Sequence, residues 1–266
     1  VSGGELHRAR IAGASMSKIV FAGVGKTDSE IRDALEARIA YFNIESEAEF
    51  ENIAMISKHM GATASATLRV NPDVADARTH AKTSTGKKGD KFGVDIDRAQ
   101  RFFEKYGADP YLKLNAVHLH IGSPIYSPAP YVKAIDKALE LIGRLRNRGI
   151  RIDAINIGGG YAADYETGKS PLAIDYAAQI VPRLKPFHDA GGKVFLEPGR
   201  TITANAGVLL ARVQYVKMSG HKKFVIVDSG FSHLLRVAMY GAFHFIWPTR
   251  VVRQHEPEIR CSEMKM

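Results

Sequence analysis

Short apolar runs alternate with amphipathic stretches along most of this chain. The runs fall at 18–23 (KIVFAG), 40–44 (AYFNI), 64–70 (ASATLRV), 114–121 (LNAVHLHI), 152–157 (IDAINI) and 193–199 (KVFLEPG). Each has the length of a strand, and most are bounded by polar residues or glycine. Val1 and Ser2 read as the tail of one further strand, clipped at the front. Between the runs the periodicity becomes helical. Thr27-Asp28-Ser29-Glu30 and Ser46-Glu47-Ala48-Glu49 are capping-box patterns that open two helices, the second stopping at Gly61. Residues 131–149 place apolar side chains at 132, 135, 138, 139, 142 and 145, the spacing of one buried helix face.

Strands alternating with helices give right-handed βαβ units on a parallel sheet. The count favours a (β/α)8 TIM-type barrel lacking its first strand over an open doubly wound sheet. The loops HIGS, GGGY and EPGR all follow strand ends late in the series, on the face where barrel sites form. After Arg200 the pattern changes. Residues 206–218 and 222–230 are strand-like with no long helix between them, the start of an antiparallel β domain. The expected division is a barrel over 1–200 and part of a β domain over 201–266.

A chain of 266 residues with 45% hydrophobic content can bury a large core. It has no apolar run of membrane-spanning length and no secretory leader, so a cytoplasmic protein without membrane association is expected. The single cysteine, Cys261, excludes an internal disulfide and has no visible partner for nucleophilic work. The net charge of +9 is spread without aromatic interleaving, which suits anionic small ligands better than nucleic acid. The stretch GVGKT (23–27) echoes a phosphate-binding loop, but Val20 stands where that pattern needs glycine. It reads better as a strand end entering the capped helix. The opening without methionine and the unpatterned end over 249–266 imply a fragment of a longer protein.

Three consecutive glycines, Gly158, Gly159 and Gly160, end an apolar strand. Backbone N–H groups there can meet an anion without a Cβ in the way. His118 and His120 share one face of a strand by period two, as core histidines or as metal ligands. Glu197 ends another strand beside Gly199 and Arg200. Glycine-rich loops, Ser123, an arginine, a histidine and a strand-end glutamate together describe a site for a phosphorylated ligand with a basic ring nitrogen.

The segments FNIESEAE, KFGV, HLHIGSPI, INIGGGY, EPGRTITANAGVLL and DSGFSHLLRVAMYGAFH resemble, in the same order, those of the fold-type III pyridoxal-phosphate decarboxylases. The wording is nearer the diaminopimelate branch than the ornithine branch, and the resemblance runs to about residue 248. It implies an alanine-racemase-like barrel, pyridoxal 5′-phosphate as cofactor, no metal, an amino-acid substrate and a homodimer with shared active sites. It implies decarboxylation of meso-2,6-diaminopimelate to L-lysine. The alternatives are ornithine, arginine or carboxynorspermidine as substrate, or a non-catalytic pyridoxal-phosphate carrier. By the resemblance Glu197 pairs with the pyridine nitrogen and His120 stacks on the ring. Ser123, Gly158, Gly159, Gly160, Pro198, Gly199 and Arg200 complete the cofactor set. Arg200, Arg236 and Tyr240 take substrate carboxylates, with Arg69, Lys91 and His118 in support. The family's Schiff-base lysine would precede Val1, and its later cysteine motif is not carried by Cys261. The fragment alone is therefore expected to be inactive.

Overall fold

The computed structural model describes residues 1–249 apart from 77, 78, 80–84, 87 and 166–169. Cys261 and the tail from 250 lie outside the described residues. Two compact units divide the rest. One comprises Val1–Ala162 and Pro171–Arg200; the other holds Ala163–Tyr165, Ser170 and the described chain from Thr201 onward.

The first unit opens with helix α1 (Gly3–Ile11). Strands β1 (Val20–Phe21), β2 (Tyr41–Ile44), β3 (Ala64–Asn71), β4 (Val94–Asp95), β5 (Leu112–His118), β6 (Ala154–Asn156) and β7 (Lys193–Phe195) follow. They alternate with α2 (Asp28–Glu36), α3 (Glu47–His59), α4 (Ile96–Tyr106), α5 (Ala129–Arg146) and α6 (Ala173–Asp189). Every ladder is parallel, in the order β1-β2-β3-β5-β6-β7, with β4 added at the end of β3. The sheet is curled. β2 and β7 stand four ladder steps apart, about 19 Å if flat at about 4.8 Å per step. Yet the rings of Tyr41 and Phe195 have centroids 5.6 Å apart. This is the α/β sheet of a (β/α)8-type barrel.

The helices form where their caps and apolar faces dictate. Glu30 N–H donates to Thr27 Oγ1 at 3.3 Å while Thr27 N–H donates to Glu30 Oε2 at 2.9 Å, closing the capping box of α2. Ser46 accepts from Glu49 N–H at 3.2 Å to open α3, and Gly61, at φ +61°, turns the chain just past its end. α3 buries Phe50, Ile53 and Ile56. α5 buries Tyr131, Ala134, Ile135, Ala138, Leu141, Ile142 and Leu145, a face rotated slightly from the expected one, since Val132 and Leu139 are only half-buried.

Two expectations need correction. Val1 and Ser2 join no ladder. Ser2 Oγ accepts from Glu5 N–H at 3.2 Å and caps α1 instead. The seventh strand is β4, whose two residues pair only with Val70 and Asn71.

In the second unit β8 (Val213–Ser219) and β9 (Lys222–Val227) form an antiparallel hairpin that turns at Gly220, φ +57°. A five-residue helix, α7 (Gly199–Thr203), precedes it, and α8 (Leu235–Tyr240) follows it. Among the described residues no helix is long and apolar enough to cross a membrane.

Candidate active site

A girdle of polar side chains crosses the C-terminal ends of the strands. Asn43 of β2 is in register with Thr67 of β3, Arg69 of β3 with His118 of β5, and His118 with Asn156 of β6. All five are buried. Neighbours in register on a parallel ladder project to the same face, so the curl gathers them.

Glu197, two residues beyond β7, meets this girdle. Asn156 Nδ2 donates to Glu197 Oε1 at 2.8 Å and Asn43 Nδ2 donates to the same oxygen at 3.3 Å. His118 Nε2 stands 3.5 Å from it, at ion-pair distance. Burial by itself would raise the pKa of Glu197. His118, then Asn156 and His120, outweigh burial and bring it down to about 2. Glu197 is thus held as a carboxylate.

The glycine triplet has a structural reason that the sequence did not show. A Cβ on Gly158 would lie 2.2 Å from Leu119 O, on Gly159 2.0 Å from Glu197 O, and on Gly160 2.0 Å from Gly122 O. The loops after β5, β6 and β7 pack backbone on backbone, and only glycine permits it. Two of the three N–H groups are also committed: Gly158 N–H donates to Asn156 Oδ1 at 2.9 Å, and Gly159 N–H to His120 Nδ1 at 3.3 Å. Of the triplet, Gly160 N–H alone makes no hydrogen bond among the described residues. The expectation that N–H groups of the triplet meet an anion thus loses Gly158 and Gly159, whose N–H groups are taken.

His120 Nδ1 accepts a hydrogen bond, so the imidazole is neutral. Burial first, then the charges of Arg69 and His118, hold its pKa down to about 4. Ser123 Oγ accepts from Arg200 Nε at 3.0 Å, which brings two expected site residues together. Gly199 opens α7, and a Cβ there would meet nothing within 4 Å. Pro198 links it to Glu197. Arg69 Nη1 pairs with Glu45 Oε1 at 2.9 Å, and Gly93 N–H donates to Glu45 Oε2 at 2.9 Å. Lys91 is exposed and lies over the Phe92 ring at 4.8 Å, outside this cluster.

The side chain of Lys26, of the GVGKT stretch, is buried. Its ammonium donates to Gly23 O and Asn43 O, each at 2.8 Å, and to Glu49 Oε1. It clamps the turn after β1 to the end of β2 and to α3, leaving no donor for a nucleotide phosphate.

Arg236 and Tyr240 lie on α8 of the second unit. Arg236 Nη1 donates to His244 Nε2 at 2.9 Å, and its guanidinium covers the Tyr165 ring at 4.8 Å. Burial and the adjacent Arg236 lower the pKa of His244, keeping it an acceptor.

The sequence reading missed Asn43 and Asn156. A signal was present: Asn-Ile closes two separate apolar runs, at 43–44 and 156–157. A polar residue repeated at that position is a site residue more readily than two packing faults.

The family model described as "Pyridoxal-dependent decarboxylase, pyridoxal binding domain" matches residues 1–204. The diaminopimelate decarboxylase of Vibrio cholerae is 40% identical over 250 residues, which is 94% of this chain and 59% of that protein. The Pseudomonas aeruginosa enzyme of the same name is 43% identical over 243 residues, 91% of this chain and 58% of the relative. The crystal structure of Helicobacter pylori diaminopimelate decarboxylase complexed with L-lysine superposes with a TM-score of 0.85 at 37% identity, covering 92% of this chain and 61% of that one. The chain thus spans less than two thirds of the length of these relatives.

Proposed function

The chain belongs to the pyridoxal-dependent decarboxylases, and from that premise we propose that the whole protein converts meso-2,6-diaminopimelate to L-lysine and CO2 with pyridoxal 5′-phosphate as cofactor. The observation that carries the reading is the Glu197 carboxylate, kept ionised inside a polar girdle beside a glycine loop.

The residues fit the cofactor. Glu197 offers an oxygen without a partner among the described residues, His120 is a neutral ring, and Gly160 N–H and the Ser123–Arg200 pair are suited to phosphate. When bound, pyridoxal phosphate supplies an electron sink for the pair left behind as CO2 departs. Glu197 accepts the hydrogen bond of a protonated ring nitrogen and so keeps the proton there. His120 faces the ring as an uncharged imidazole. Gly160, Ser123 and the Gly199 loop bind phosphate, with Gly158 and Gly159 shaping the loop and Pro198 setting its turn. Arg200, Arg236 and Tyr240 hold substrate carboxylates, for which a guanidinium offers two parallel donors. A homodimer with shared sites completes the proposal.

The test is lysine release from meso-diaminopimelate by the whole protein, with ornithine and arginine as competitors. Lysine formation, abolished by Glu197→Gln, is expected. Turnover of ornithine or arginine but not of diaminopimelate would overturn the substrate assignment.

A further inference from the structure

The Glu197 carboxylate is asymmetric. Oε1 accepts Asn156 Nδ2 at 2.8 Å and Asn43 Nδ2 at 3.3 Å and faces His118 Nε2 at 3.5 Å. Oε2 accepts nothing among the described residues. Resting on the cofactor reading above, we propose that Asn43 and Asn156 are positioning residues that commit Oε1 and so present Oε2 alone to the ring nitrogen.

Asn156 can act in only one orientation. Its Oδ1 takes the Gly158 N–H, a group that can only donate, so its amide nitrogen is the end left for Glu197. Asn43 comes from β2, on the far side of the curl. Thr67 Oγ1 donates to its Oδ1 at 2.5 Å, and Lys26 grips its carbonyl. Asn43 is 0% and Asn156 1% exposed, so neither amide can exchange its carboxylate partner for bulk water. A carboxylate turned freely about its terminal torsion would present either oxygen; two donors from opposite strands stop that rotation.

The donors have a second consequence. They withdraw basicity from the carboxylate, so in the Oε2···H···N pair the proton rests on the ring nitrogen. Asn156 also ties Gly158 to Glu197. One side chain therefore sets the spacing between the Gly160 N–H and the carboxylate, the two ends that grip the cofactor.

The experiment uses the whole protein loaded with pyridoxal phosphate carrying 15N in the ring. The ring-nitrogen resonance reports protonation without turnover. The wild type is expected to be protonated at neutral pH. Asn156→Leu and Asn43→Leu should each move the resonance toward the unprotonated value, and Asn156→Leu should weaken cofactor binding by about tenfold or more. Ile142→Val, a change in the helix layer, should leave the resonance in place. If Asn156→Leu fails to fold, Asn43→Leu acts on the same oxygen and decides alone. A protonated wild type whose resonance neither variant moves would overturn the positioning role. A wild type that takes up no pyridoxal phosphate would instead overturn the cofactor reading, and the inference with it.

Discussion

Tyr131, on the first turn of α5, donates its hydroxyl to the carbonyl of Gly159 at 2.8 Å. The bond runs from the outer helix layer to the middle of the glycine triplet. Tyr131 also stacks on Tyr161 with centroids 4.9 Å apart, and Tyr176 meets both rings edge-on. Tyr176 in turn donates to Ile125 O at 2.6 Å. Three buried tyrosines thus lock the loop after β6 to the loop after β5.

Tyr131→Phe isolates the hydroxyl, because the stacking survives. A buried carbonyl left without its donor costs about 1–3 kcal/mol. The unfolding free energy should fall by that amount, seen as a lower urea midpoint at an unchanged slope. A midpoint equal to that of wild type would mean the carbonyl finds another donor and the tyrosine is only filler.

Gly159→Ala and Gly199→Ala form a contrasting pair. The first drives a methyl to 2.0 Å from the carbonyl of Glu197, backbone against backbone; the second puts it in open space. Gly159→Ala should cost about 3 kcal/mol or more, at the upper end of overpacking. Gly199→Ala should melt like wild type while weakening pyridoxal phosphate binding. Equal melting temperatures for the two variants would contradict the loop packing described here.

Lys26→Met tests the buried clamp. Glu49 would be left in the interior without its cation, at about 3–5 kcal/mol for a broken buried pair. Burial already raises the pKa of Glu49 against the pull of Lys26. The variant should therefore recover stability as pH falls and Glu49 takes a proton. Adding Glu49→Gln should restore much of the loss at neutral pH. Denaturant titrations at two pH values decide, and a double variant no better than the single would rule the clamp out.

The strand positions were legible because a buried parallel strand is a short apolar run, and six such runs survive the helices between them. The capping box at Thr27 and the N-cap at Ser46 were equally plain, since each is a local hydrogen-bond pattern, although at Ser46 only half of the expected box forms, because Glu49 Oε2 accepts from Glu45 N–H instead. α1 was not visible: GGELHRARI buries only Leu6, so it carries no apolar period. β4 is two residues long and exists only because β3 offers it an edge. The glycine triplet was plain in the sequence, but the backbone packing that requires it was not. Local sequence cannot reveal that Leu119 O, Glu197 O and Gly122 O crowd the three positions, because each comes from a loop distant in the chain. The asparagines on Glu197 were missed for the same reason. Their partner is 154 residues from Asn43 and 41 from Asn156.

The site should also make the protein acid-labile in a defined window. His120 titrates at about 4 in the fold against 6.5 ordinarily. Below about pH 6.5 the unfolded chain takes up a proton that the folded chain refuses until about pH 4. Stability from this group is present above that window and lost as pH falls through it, by at most about 3 kcal/mol. Glu197 adds a second loss. Its pKa is about 2 in the fold and 4.5 ordinarily, so its contribution is whole above 4.5 and disappears on further acidification. The two windows separate the residues. His120→Gln should flatten the difference in melting temperature between pH 7 and pH 5 and leave most of the loss below about pH 4 in place. Glu197→Gln should do the reverse. The comparison is best made on cofactor-free protein, so that loss of pyridoxal phosphate does not mimic either step. If His120→Gln leaves the pH 7 to pH 5 difference unchanged, the imidazole is not held neutral, and its hydrogen bond from Gly159 N–H must be given up.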